Sequence, residues 1–202
     1  MMRPKGAHPA APAGEDLIGQ AAIKEAVRQA YRDVVGKGSG VASRLYDPDE
    51  LALVPAGAIA QALGVGNPVR AAKLRPEEIV IDLGCGGGID TILAARAVAP
   101  GGKAIGLDML PEMLERARAH AAEVGATNIE WLHGEMEAIP LPDETADVAI
   151  SNGVVNLSPR KSRVFAEVHR ILRPGGRFAV ADILVDDDLP PEVFTNPAAW
   201  AG

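Results

Sequence analysis

The sequence is short of the residues that staple small domains together. It holds one cysteine, Cys85, in 202 residues, so no disulfide can form within the chain. Aromatic residues make up only 3%, which favours helices lying close on a sheet through Gly and Ala over an aromatic-rich β-sandwich. Basic residues are outnumbered, 20 Lys and Arg against 27 Asp and Glu, giving a formal charge of −7. Contact with a nucleic-acid backbone needs clustered Lys and Arg. Only short groups such as Arg160-Lys161 with Arg163 occur, and they read as solvated surface, so no nucleic-acid partner is expected. No apolar run approaches the ~18 residues of a membrane span, so no membrane partner is expected either. Residues Met1 to Gly14 are rich in Pro and Ala but lack the continuous apolar stretch of a signal peptide; they read as a disordered arm over 1–15. A soluble cytoplasmic protein is the expectation. No group of ligand residues has metal-site spacing, so no metal is expected.

What is present is 48% hydrophobic residues, enough for a core. From Asp16 to about Val35, Ile23, Val27, Ala30, Tyr31 and Val34 recur at three- and four-residue steps, predicting a helix. Gly36 to Gly40 breaks it. Asp47-Pro48-Asp49-Glu50 carries a capping acid, a proline suited to the first helical position and a glutamate that can close a capping box. That predicts a short helix ending near Gly64. Residues 16–75 are therefore expected to form a helical cap, and 76–202 the main domain.

After Glu78 strands and helices alternate. Strands are predicted at Ile79–Leu83, Lys103–Leu107, Ile129–Leu132, Ala146–Ser151 and Arg177–Leu184, the last after a Pro174-Gly175-Gly176 turn. Helices are predicted at Asp90–Val98, Pro111–Val124 and Lys161–Leu172. Strands separated by helices indicate βαβ units: an α/β, three-layer Rossmann-like sandwich with a mainly parallel sheet and an N-terminal helical cap. Ligands in such folds bind beyond the strand C-termini where the winding reverses. Asp186 to Pro191 reads as a loop.

The most informative string is Asp82-Leu83-Gly84-Cys85-Gly86-Gly87-Gly88, which follows the first strand and opens a helix. Glycines there let the backbone approach a ligand, and free N–H groups at a helix start can receive an anion. The second strand ends in Asp108, placed to accept bonds from both hydroxyls of a ribose. Dinucleotides and S-adenosylmethionine share this arrangement. The dinucleotide fingerprint ends in Gly or Ala where this chain has Ile89, and its third glycine comes one place early, at Gly88. Asp82 would repel a pyrophosphate but help hold a cationic amine. Both details favour adenosylmethionine.

These residues resemble the first motif and the ribose-binding acid of class I S-adenosylmethionine-dependent methyltransferases. Gly134-Glu135-Met136-Glu137-Ala138-Ile139-Pro140 resembles that family's adenine-flanking segment, and Leu172 to Gly176 its turn before the fifth strand. By that resemblance Glu135 faces the adenine amino group and Met136 packs on the ring. A narrower resemblance, to arsenite methyltransferases, rests on Gly64 to Pro68, Gly106 to Met113, Ser151 to Pro159, Asp182 to Pro191 and Trp200-Ala201-Gly202. It implies cofactor contacts from Asn67, which lies over the cofactor, and from Asp82, Gly84, Cys85, Gly86 and Gly88 in the first loop. It adds Asp108, Met109 and Met113, then Gly134, Glu135, Met136 and Asn152. Asn152 and Asn156 are expected to act on the acceptor as the catalytic pair. The implied cofactor is S-adenosyl-L-methionine, and the implied partner a small-molecule acceptor.

The chain departs from the arsenite family at its thiols. That family holds trivalent arsenic through cysteines, which suit soft ions. Two of the matching positions here are Gly153 and Val65, and a third would follow Gly202. Cys85 reads as packing in the cofactor loop. The two strands that usually follow the fifth in that family have no counterpart in these residues, so the expectation is either that a second copy or another chain covers the open sheet edge or that the chain is a truncated, marginally stable piece. Methyl transfer from a sulfonium is an in-line displacement that needs positioning and a dry pocket. A general base helps only for hydroxyl or ammonium acceptors. His133 and Glu137 are candidates, each more simply read as a loop residue, and His169 reads as surface. A carbon, oxygen or nitrogen acceptor, or a cofactor-binding subunit completed by another chain, are the competing readings.

Overall fold

In the computed structural model the described residues are 20–32 and 40–184. Strand β1 (Ile79–Leu83) pairs in parallel with β2 (Lys103–Asp108) on one side and β4 (Ala146–Asn152) on the other. Strands β3 (Ile129–His133) and β5 (Leu172–Ala181) extend the sheet outward, giving the order β3-β2-β1-β4-β5. The winding reverses between β1 and β4, which opens a crevice at their C-terminal ends.

The two faces of the sheet bury different residues, as strand alternation requires. Ile81, Leu83, Ile105 and Leu107 pack with Val164, Val168 and Ile171 of one helix, Lys161–Ile171. Val80, Ala104, Val148 and Ile150 pack against Ala94, Ala95 and Val98, at the end of the helix Ile89–Ala97. The helix Pro111–Glu123 lies against β2 and β3. Because both faces are covered, β1 is nearly continuous in apolar character. Each fully buried Ile or Leu contributes about 1.5–3 kcal/mol.

In chain order the helices are α1 (Gln20–Arg32), α2 (Ala42–Leu45), α3 (Pro48–Leu51), α4 (Ala56–Ala60), α5 (Pro68–Ala72), α6 (Ile89–Ala97), α7 (Pro111–Glu123) and α8 (Lys161–Ile171). The capping box at Asp47 and Glu50 forms. The helix expected to run from there towards Gly64 is two pieces, α3 and α4. Pro55 is the reason: it is extended at ψ 150° as the N-cap of α4, and its ring supplies no N–H to continue a helix. Helix α5 lies within the segment expected as cap, yet it packs on β4 and β5. Arg177 of β5 fastens it, donating to the Ala72 carbonyl at 2.6 Å.

The Pro174-Gly175-Gly176 turn is not a connection ahead of β5 but a register break within it. Ala146 pairs with Leu172 and Val148 with Arg177, so the turn bulges out between them, with Gly175 at φ +83°. The strand ends at Ala181, not Leu184. The helix expected over Asp16 to Val35 is seen as α1, and both expected ends lie outside the described residues. So do the expected arm 1–15, most of the Gly36–Gly40 break, the Asp186–Pro191 loop and Trp200. Among the described residues no helix is long and apolar enough to cross a membrane.

Candidate functional site

A cavity partly open to solvent lies at the C-terminal ends of β1, β2 and β4. Its floor is the loop between β1 and α6. Gly84 and Cys85 both donate their N–H to the Leu107 carbonyl, at 2.8 and 3.0 Å, tying the loop to β2. Gly86 turns at φ +51°, and a Cβ built there would meet nothing within 4 Å. The bare backbone thus faces the cavity at the place where a ligand would rest.

Asp108, at the end of β2, accepts from the Gly86 N–H and the Leu110 N–H, both at 2.9 Å. One bond to each carboxylate oxygen leaves lone pairs for a ligand hydroxyl. Met109, Leu110 and Met113 line the same side. Beyond β3, Gly134, Glu135 and Met136 form the opposite rim. Helix α1 reaches over that rim: Lys24 donates to Glu135 at 2.6 Å and Arg28 at 3.0 Å. Glu137 lies deeper, accepting from the Ser158 hydroxyl at 2.7 Å.

A second set of polar groups joins the cap to the sheet. Asp90, in the first turn of α6, accepts from the Tyr46 hydroxyl at 2.8 Å and from the Asn152 amide at 3.0 Å. Asn152 also accepts from the N–H groups of Val65 and Gly66, at 2.8 and 3.1 Å, and donates to the Gly66 carbonyl at 2.9 Å. The loop before α5 is thereby clamped to the end of β4. Asp82 accepts from the Thr91 hydroxyl at 2.6 Å.

The electrostatics are one-sided. Five carboxylates line the cavity (Asp82, Asp90, Asp108, Glu135 and Glu137), and Lys24 is the one basic residue among the described lining residues. Burial pushes Asp90 up to about 6. Burial, with the Asp90 charge second, holds Asp82 well above the usual carboxylate range. Burial raises Asp108 as well. Such groups favour a ligand that brings positive charge. Burial and then the Asp108 charge push the Cys85 thiol up, so it stays protonated.

Ten of the thirteen expected cofactor residues line this cavity: Asp82, Gly84, Cys85, Gly86, Asp108, Met109, Met113, Gly134, Glu135 and Met136. Asn152 makes an eleventh, but its polar atoms are already taken up by the cap. Those bonds make it a clamp between the loop before α5, Tyr46 and Asp90. Asn67 and Gly88 lie outside the lining. Asn67 caps α5, accepting from the Arg70 N–H at 2.9 Å, and its amide donates to Glu50. Gly88 faces away, where a Cβ would lie 3.0 Å from Ala117 and 3.3 Å from Trp131. Asn156 also lies outside, its backbone N–H donating to Asp182 at 3.0 Å and its amide to the Ile183 carbonyl. His133 is exposed, with Nε2 donating to the Met109 carbonyl at 3.2 Å. Residues missed by sequence reasoning are Lys24, Tyr31, Gln61 and Asp90 in the lining and Tyr46 behind it. Only Asp90 had a local signal, its place two residues after the glycine string. Among the described residues no group of three His, Cys, Asp or Glu is arranged to hold a metal.

Residues 74–202 match a family described as a methyltransferase domain. An arsenite methyltransferase of Halobacterium salinarum is 46% identical over 157 residues, which are 78% of this chain and 40% of that protein. The human arsenite methyltransferase is 32% identical over 130 residues, 60% of this chain and 35% of that protein. The chain thus spans well under half the length of these relatives. Among solved structures, an arsenic(III) S-adenosylmethionine methyltransferase from Chlamydomonas reinhardtii superposes with a TM-score of 0.63 at 35% identity, covering 83% of this chain and 52% of that one.

Proposed function

The chain belongs to the methyltransferase-domain family, and from that premise we propose that it transfers a methyl group from S-adenosylmethionine to a small-molecule acceptor. The observation that carries this reading is the charge of the cavity, five carboxylates against one lysine. Such walls suit a ligand with a sulfonium and an ammonium and oppose a pyrophosphate. When bound, adenosylmethionine supplies a methyl group already activated by its sulfonium. The chain's own work is positional. Asp108 and the Gly86 backbone hold the ribose end, Glu135 and Met136 flank the base, and α1 with the Asn152-clamped loop restrict water over the reacting end.

For the acceptor, arsenite is supported by the names of the relatives. The thiol inventory favours a carbon, oxygen or nitrogen nucleophile instead. Soft-ion ligation needs thiolates, and Cys85, the single thiol of these residues, is buried and protonated. A Cβ built on Gly153 would sit 3.6 Å from the Val65 side chain, so the two positions where the family carries cysteines face each other here without sulfur. An acceptor screen decides: methylation of arsenite with glutathione supports the first, and turnover only on organic acceptors the second. A third reading is a subunit finished by another chain along β5, where Val180 and, on the neighbouring α8, Phe165 are 45% and 49% exposed. Turnover by the isolated chain contradicts it; activity appearing only with a second chain supports it.

A further inference from the structure

Lys24 is the one basic side chain among the described residues that line the cavity, and it comes from the cap. It sits between two carboxylates. Its ammonium donates to Glu135 Oε2 at 2.6 Å and lies 3.6 Å from Glu137 Oε1. Glu137 is fixed in turn by the Ser158 hydroxyl, at 2.7 Å. One turn along α1, Arg28 donates to Glu135 Oε1 at 3.0 Å. Through these side chains the cap joins the loop after β3 to the loop after β4.

Each carboxylate oxygen has two lone pairs. Lys24 takes one on Oε2 and Arg28 one on Oε1, so each oxygen keeps an acceptor site. Glu135 is partly exposed, and without these partners its side chain would spread over several rotamers. The two cations hold it in one orientation on the cavity wall. With the ribose at Asp108, the base lies along the β2–β3 rim, where Met109, Met113 and Met136 offer apolar contact. Glu135, next to Met136, meets the edge of that base. A fixed acceptor takes an amino edge and opposes a carbonyl edge, whose oxygen would face a carboxylate oxygen.

We infer that Lys24 is a positioning residue for base selection: by holding Glu135 in one orientation, it lets that carboxylate choose a 6-amino purine over a 6-oxo purine. This rests on the methyltransferase reading above. It gives the cap a part in choosing the ligand as well as covering it. The Lys24–Glu135 bond spans 111 residues, so the base is read fully only when α1 is docked on the rim.

Two ligands isolate that edge. S-adenosylhomocysteine carries an amino group there, and S-inosylhomocysteine a carbonyl. Both are titrated calorimetrically into wild type, Lys24→Met, Lys24→Arg, Glu135→Gln and the Lys24→Met/Glu135→Gln double variant. The ion pair is partly exposed, so the variants stay folded. Wild type binds the adenine compound about tenfold tighter or more, the scale of a hydrogen bond to a charged group. In Lys24→Met, with Arg28 still in place, that ratio falls to about threefold, through weaker binding of the adenine compound. Lys24→Arg keeps a donor and keeps the ratio. Glu135→Gln lowers the ratio, and adding Lys24→Met lowers it no further, because Lys24 acts through Glu135. A lysine that only closes the cap would weaken both ligands by the same factor, so an unchanged ratio in Lys24→Met overturns the assignment. A further fall in the double variant, or a Lys24→Arg ratio as low as that of Lys24→Met, overturns it too. If wild type binds both ligands equally, this inference falls and the methyltransferase reading stands; if it binds neither, that reading falls first.

Discussion

The cavity has two walls built in different ways. The sheet wall is held by bonds that all end on backbone N–H groups within 23 residues or fewer: the glycine loop hangs from the Leu107 carbonyl, and the Asp108 carboxylate grips Gly86 and Leu110. The cap wall is held by side chains that reach far along the chain. Tyr46 meets Asp90 across 44 residues, Asn152 meets Val65 across 87, and Lys24 meets Glu135 across 111. A wall made by the backbone is rigid once the sheet forms. A wall made by side chains can be loosened one bond at a time.

The largest effect is expected on the sheet wall. Asp108→Ala removes the ribose acceptor and frees the Gly86 and Leu110 N–H groups together. Affinity for S-adenosylhomocysteine should fall about 100-fold by calorimetry, with the fold kept by far-ultraviolet circular dichroism. On the cap wall, Asn152→Ala leaves the N–H groups of Val65 and Gly66 and the Asp90 carboxylate without their shared partner. Denaturant titration should show a loss of about 3 kcal/mol, and amide exchange should speed up in the loop before α5 more than in β1. Equal acceleration in both would erase the contrast between the walls.

Asp90 makes the contrast depend on pH. Its folded value of about 6 lies above its ordinary 3.8, so the folded chain binds the extra proton between those values. Ligand-free stability therefore falls as pH rises through that window, and the full cost is present above it. Asp82 and Asp108 shift the same way, so the readout is the difference between wild type and Asp90→Asn, whose profile should be flatter. A cationic ligand prefers the ionised form, so wild-type affinity for adenosylmethionine should weaken several-fold from pH 7.5 to 5.5, and Asp90→Asn should weaken less, keeping only what Asp82 and Asp108 contribute. The smallest effect is expected from Glu135→Gln. Its ion pairs with Lys24 and Arg28 are partly exposed, so stability should change by less than about 1 kcal/mol. Amide exchange in α1 should nonetheless rise while β2 stays protected.

The difference between the walls also explains what was legible in the sequence. The five strands and their helices were readable because apolar periodicity and Gly or Pro punctuation are local. Asp82, Gly84, Gly86 and Asp108 were readable because a loop and a strand end sit at fixed offsets from that pattern. Asn67 and Gly88 occupy the expected segments yet face away from the cavity, one spent as a helix cap and the other packed beneath α7; a string of residues does not say which way each points. Tyr46 and Lys24 carried no signal, because their partners are chosen by how the cap folds back. The split of α3 from α4 was available at Pro55, whose missing N–H ends a helix wherever it falls.

The most direct test of the central claim is calorimetric titration of the chain with S-adenosylmethionine and S-adenosylhomocysteine. The account predicts saturable binding of both, one site per chain, with methyl transfer to at least one member of an acceptor panel that includes arsenite with glutathione. A folded chain that binds neither ligand would contradict it.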